Sequence, residues 1–144
     1  MFCMLLGASC KDDNPYSGEC FIPEVIVNEI INMDLPSYFP LQNLGEHITL
    51  EASGNRGIFL VHFFDDAFYA LERTCPYQSD QDCAFVTVDS TNLRLRCGQY
   101  ADTGFVACCG SEFQWDGFLL QGPARCGLKA YRVNRQGNTL FINN

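Results

Sequence analysis

The sequence predicts an all-β domain, an antiparallel β-sandwich or small barrel, and three observations predict it. Short runs rich in Val, Ile, Phe and Tyr recur through residues 24–143, some alternating polar with apolar and some apolar throughout. Gly, Asn, Asp and Pro punctuate these runs at close intervals, as turns between strands do. A helical period is nearly absent. With 144 residues, 47% of them hydrophobic and 13% aromatic, the chain can bury one core, which excludes general disorder.

Residues 24–33 are rich in Val and Ile and form the first expected strand. Residues 33–40 carry Pro36 and Pro40 and read as irregular. A second strand over 47–51 meets a turn over 53–57 that holds two glycines. Two aromatic-rich runs, 58–64 and 67–71, are joined by Asp65-Asp66 and read as a tight hairpin. Residues 84–89 and 93–96 alternate around Ser90, Thr91 and Asn92. Strands over 103–107 and 112–115 flank a loop containing Cys108 and Cys109, and 128–134 with 139–143 close the domain as a hairpin.

The net charge is −8, from 17 acidic and 9 basic residues. Residues 1–72 hold 11 acids and 2 bases, residues 73–144 hold 6 acids and 7 bases. Binding a phosphate backbone needs clustered cations, so nucleic acid is not an expected partner. Arg94 and Arg96 share one strand face and suit either a docking patch or a solvated surface. Catalytic sets do not assemble. Asp65 and Asp66 belong to a turn, Asp80 and Asp82 to a polar loop, and Gly104, Gly110 and Gly117 lead into no helix that could receive an anion. The reading leans away from an enzyme.

Nine cysteines stand against two histidines, which points to an oxidising compartment or a metal. At the N-terminus a short apolar stretch ends in Gly7-Ala8-Ser9 directly before Cys10, then turns polar. This resembles the lipobox of bacterial lipoproteins, and Lys11-Asp12-Asp13 resembles an acidic export tag of surface lipoproteins. The resemblance implies that residues 1–9 are the remnant of a signal peptide. Residues 10–23 are then a tether lipidated at Cys10, and 24–144 the domain. The protein is expected on the periplasmic or extracellular side, at the outer membrane or cell surface, with its lipid anchor in the membrane.

The two cysteine-bearing loops resemble those of the Rieske domain family. The segment 68–78, with Tyr69-Ala70 on a strand leading to Cys75, is similar to the first cluster-binding loop, where the family places Cys-x-His. Residues 108–113 are similar to the second, where the family has Cys-x-x-His-Gly-Ser and an aromatic residue. Gly122-Pro123 matches the family's covering loop, and 128–142 its terminal hairpin. The resemblance covers 24–144 and implies a Rieske-like fold.

A Rieske centre sets two Cys on one iron and two His on the other. At those four positions this chain has Cys75, Tyr77, Val106 and Cys109. His47 lies in an early strand, and His62 lies mid-strand thirteen residues before Cys75, so neither replaces a ligand by motif. The resemblance therefore implies a degenerate site, with Cys75 and Cys109 at cluster-equivalent positions and no cofactor expected. It also implies a disulfide between Cys83 and Cys108, where many Rieske domains link their loops. Cys75 with Cys109, and Cys97 with Cys126, are further possible pairs, and Cys20 has no obvious partner. The expected role is binding or structural, toward a protein or ligand the sequence does not specify. The alternative is an electron carrier holding a [2Fe–2S] cluster on atypical ligands. A third possibility is an all-thiolate zinc or iron–sulfur site drawn from Cys75, Cys83, Cys108 and Cys109, with Cys97 in reserve.

Overall fold

The computed structural model describes residues 20–91 and 93–144. Cys10, the signal segment and the tether up to residue 19 lie outside the described residues. Ten strands in the described residues form two antiparallel sheets, so the fold is all-β as expected.

The larger sheet is built on β3 (Ile58–His62) and β4 (Phe68–Glu72), paired from Ile58↔Glu72 to His62↔Phe68. Their turn closes where the Phe63 amide donates to Ala67 O at 2.8 Å and the Asp66 amide to Phe63 O at 3.0 Å. All five residues of β3 are buried. The cause is a core on each face. Phe59 and Val61 pack toward the smaller sheet, whereas Ile58 and Leu60 pack with Leu41, Leu140 and Ile142 on the other side. A strand with two buried faces reads as an unbroken apolar run.

β2 (His47–Leu50) flanks β3 on one side. On the other side β4 pairs with β9 (Ala130–Gln136), which turns at Gly137-Asn138 into β10 (Thr139–Asn143), and β10 pairs with β1 (Asn28–Asn32). The smaller sheet runs β5 (Val86–Val88), β6 (Leu95–Ala101), β7 (Gly104–Phe113) and β8 (Leu119–Gln121).

Four expectations are corrected here. The first strand keeps only Asn28–Asn32 of 24–33. Residues Pro36–Gln42, expected to be irregular, form a 3-10 helix; Pro36 sits at its start, where no amide donor is required, and its Leu41 side chain is fully buried. Residues 20–23, assigned to the tether, pack on the domain instead: Ile22 is buried and Ser79 Oγ donates to Phe21 O. The strands over 103–107 and 112–115 are one strand, β7, that passes through the cysteine pair.

The expectation of a loop at 108–111 has a physical remnant. Along β6 and β7 the register goes from Arg96↔Glu112 to Gly98↔Ala107, so residues 108–111 on β7 face Cys97 alone on β6. This is a large, special β-bulge, four residues against one, which throws Cys108–Ser111 off the ladder. Gly98 allows it. Its φ is +137°, and a Cβ there would lie 2.3 Å from Val106 O.

Candidate functional site

Cys75 follows β4 after Arg73 and Thr74, and a buried polar hub holds it there. The Glu72 side chain is fully buried and accepts five hydrogen bonds. Oε1 takes the Arg56 amide, the Thr74 amide and the Thr74 hydroxyl at 3.0, 3.0 and 2.9 Å. Oε2 takes the Asn55 amide at 2.8 Å and the Tyr131 hydroxyl at 2.7 Å. The 53–57 turn, the Cys75 segment and β9 are thereby fixed to one carboxylate. Burial first, then this bond, raises the Tyr131 phenol well above its ordinary value. Beside it the Arg73 guanidinium lies 4.1 Å from the Phe85 ring and 4.8 Å from that of Phe59, and bonds Glu51 at 2.8 Å.

Beyond Cys75 the segment to Cys83 is held by Arg56. Its guanidinium donates to Asp82 O at 2.8 Å and Gln81 O at 2.9 Å. Cys83 is bonded to Cys108, which pins this segment to the bulge of β7. The remaining expected pairing is corrected: Cys126 is bonded to Cys20 rather than to Cys97. Cys75 and Cys109 are not a disulfide either. They are free thiols with sulfurs 3.8 Å apart.

Cys97 completes the group. It faces the bulge from β6, and the sulfurs of Cys75, Cys97 and Cys109 all lie within 4.8 Å of one another. Cys75 and Cys97 are fully buried and Cys109 is half-buried. The Gly122-Pro123 segment lies against the bulge: a Cβ on Gly122, whose φ is +108°, would lie 2.3 Å from Ser111 Cα. The Ala124 amide donates to Ser111 Oγ at 3.0 Å, and that hydroxyl is 3.2 Å from Cys109 Sγ.

The thiols titrate as a unit. Hydrogen bonding from Cys75, then from Cys97, drives the Cys109 thiol far below its ordinary value despite burial, with Ser111 adding to the effect. The bond to Cys109 pushes Cys75 strongly up, and Cys97 is pushed up to about 12 by the same partner.

Tyr77 packs half-buried against the same core, and Val106 is 53% exposed on the regular part of β7, paired with Gln99. Neither histidine reaches the thiols. The His47 ring lies tilted against that of Trp115, centroids 4.4 Å apart, and burial lowers its pKa against the opposing pull of Glu46. His62 bonds Leu41 O at 2.8 Å and Asp66 Oδ1 at 2.7 Å. Arg94 and Arg96 form no open cationic patch: Arg94 pairs with Asp89 at 3.1 Å and Glu112 at 2.6 Å, and Arg96 with Glu112 at 3.8 Å.

A second feature is a cleft of about 520 Å³ between the sheets, lined by Val61, Phe63, Phe64, Leu93, Trp115 and Leu120, with Thr91 and Gln114 as its polar side chains. Sequence reasoning did not locate it, nor did it assign a role to Glu72 or Arg56. Among the described residues no helix is long and apolar enough to cross a membrane.

No protein-family model matches the chain, and no curated protein matches it. Among solved structures it is similar to the plasma membrane Rieske protein PetC3 of the cyanobacterium Synechocystis PCC 6803, with 21% identity over 68% of this chain and 86% of that one, and a TM-score of 0.49.

Proposed function

We propose that the chain is an extracytoplasmic lipoprotein, anchored through Cys10, whose Rieske-like domain holds no cluster and works as a disulfide-braced binding module. The support for this reading is that the resemblance puts Cys75, Tyr77, Val106 and Cys109 where the family has its four cluster ligands, while His47 and His62 are engaged elsewhere. A Rieske cluster needs two imidazoles on one iron. The residues present do not fit it. Two irons also require donors spread over two centres, whereas the three sulfurs, all within 4.8 Å, converge on one point.

Bracing replaces the cluster in this reading. Cys83–Cys108 ties the first loop to the bulge, and Cys20–Cys126 ties the entry of the domain to the segment after Gly122-Pro123. The binding face is the aromatic cleft, whose size falls in the ordinary range for small-molecule sites and whose walls suit an apolar ligand. Phe64 and Leu93 on its rim are 72% and 77% exposed, which favours capture of an apolar group from solvent.

The test is anaerobic reconstitution with iron and sulfide, together with an apolar fluorescent probe. Protein that stays colourless, gives no Rieske-type EPR signal and quenches Trp115, the single tryptophan, on binding the probe agrees with the proposal. Two irons per chain in protein as purified would overturn it in favour of electron transfer. Cys10→Ala protein still held in the membrane would remove the anchor.

A further inference from the structure

The three thiols form a site that neither the binding role nor the disulfides use. We propose that Cys75, Cys97 and Cys109 bind one soft, thiophilic metal ion of the Cu(I) class, three-coordinate and all-sulfur. This goes beyond the binding reading and does not depend on it.

The geometry is that of a nearly formed trigonal site. A metal–sulfur bond of about 2.3 Å, the value for zinc thiolates, sets the three sulfurs of a trigonal plane about 4.0 Å apart. Cys75 and Cys109 stand at 3.8 Å, and no pair in the group exceeds 4.8 Å. Closing on an ion therefore needs side-chain shifts of under about 1 Å and no rebuilding of the backbone.

Each sulfur is held by a separate device. Cys75 hangs from the Glu72 hub through Thr74, Cys97 sits on β6 opposite the bulge, and Cys109 projects from the bulge, which the Cys83–Cys108 disulfide fixes one residue away. Preorganisation of this kind makes a ligand set out of three neighbouring cysteines.

The donor set selects the ion. Among the described residues no His, Asp or Glu joins the three sulfurs. Zinc in structural sites takes four protein ligands, and in three-ligand sites it serves catalysis, for which no partner residues assemble here. Soft thiolates with a low coordination number favour Cu(I). Binding displaces the thiol protons, which pass to solvent along the half-buried Cys109 edge.

The test uses the full chain, purified anaerobically without reductant so that both disulfides persist. It is titrated with Cu(I) delivered from a coloured Cu(I) chelate. The expected result is one Cu(I) per chain, with three sulfur neighbours and no nitrogen by X-ray absorption. Cys75, Cys97 and Cys109 should then all be protected from alkylation. Cys97→Ser should weaken binding by more than about 100-fold, the upper end of what loss of an outer-shell partner alone costs. If that variant does not fold, the sulfur count on the wild-type chain decides. Two sulfur neighbours, unchanged affinity in Cys97→Ser, or uptake of Zn(II) with refusal of Cu(I) would each overturn the proposal.

Discussion

Replacing Glu72 by Gln should cost this domain about as much stability as losing a large core side chain, although the two residues have nearly the same shape. The carboxylate oxygens accept five hydrogen bonds at 2.7–3.0 Å, three on Oε1 and two on Oε2, in a fully buried position. An amide has one accepting oxygen and one NH2 that only donates. Whichever way the amide turns in Glu72→Gln, at least two existing donors face that NH2. A buried donor left unsatisfied costs about 1–3 kcal/mol, and stripping one partner from a buried charged network about 3–5 kcal/mol. We expect a loss of about 3–5 kcal/mol. Tyr131→Phe removes a single bond to the same carboxylate and should cost about 1.5–3 kcal/mol. Urea unfolding followed by circular dichroism, without reductant and with both disulfides verified by mass, measures each loss at constant m-value. A Glu72→Gln loss below about 1 kcal/mol, or one equal to that of Tyr131→Phe, would refute the view that this hub clamps the 53–57 turn and the Cys75 segment together.

Three further outcomes are expected. Burial lowers the pKa of His47 in the folded chain, so the unfolded chain binds that proton first; stability should hold above the unfolded value of about 6.5, fall as pH drops through it, and level off below the folded value. His47→Gln should flatten this slope in urea unfolding at a series of pH values, and an unchanged slope would assign it to other groups. The Cys20–Cys126 link spans 106 residues and Cys83–Cys108 spans 25, so chain entropy assigns them about 4.8 and 3.5 kcal/mol; removing the longer link by double Ser substitution should lower the melting temperature more. Gly122→Ala should displace the covering segment, since its Cβ would lie 2.3 Å from Ser111 Cα, and hydrogen exchange at the Ala124 amide should quicken by at least about tenfold.

The sequence reads correctly wherever a local signal and the tertiary demand agree. The Asp65-Asp66 hairpin and the closing hairpin through Gly137-Asn138 each have turn chemistry between apolar strands, and both stand in the structure. The buried faces of β3 follow from its unbroken apolar run. What escapes the sequence depends on register across distant strands. Cys97 reads as a spare cysteine because nothing local announces that four residues of β7 will face it alone. Cys20 reads as partnerless because its partner lies 106 residues away. Glu72 resembles a polar strand end; only the fold brings the 53–57 turn and Tyr131 onto it. Gly98 and Gly122 are visible as glycines, but the carbonyl and Cα that forbid a side chain there belong to other strands.

The thiol geometry also bears on whether a Rieske-type centre can be built at this place in the fold. The substitutions Tyr77→His, Val106→Cys and Cys109→His would place Rieske ligand types at the positions that the sequence resemblance implies. Yet Val106 precedes the bulge, sits in regular register opposite Gln99, and is 53% exposed. A thiolate there leaves the ladder only if β6 and β7 separate, and Gly98, packed against Val106 O, lies at that joint. Cys97 is a further obstacle. Its sulfur, fully buried, lies within 4.8 Å of both Cys75 and Cys109, in the space between the two ligand-bearing segments. Two irons need that space empty and their donors paired on either side of it. We therefore expect the triple variant, reconstituted anaerobically with iron and sulfide, to hold no stoichiometric cluster. The same variant with Cys97→Ala should do no better, because Val106→Cys still points away. Iron analysis and low-temperature EPR check both chains. Two irons per chain with a Rieske-type signal in the triple variant would show that β7 opens around Val106 and would refute this reasoning.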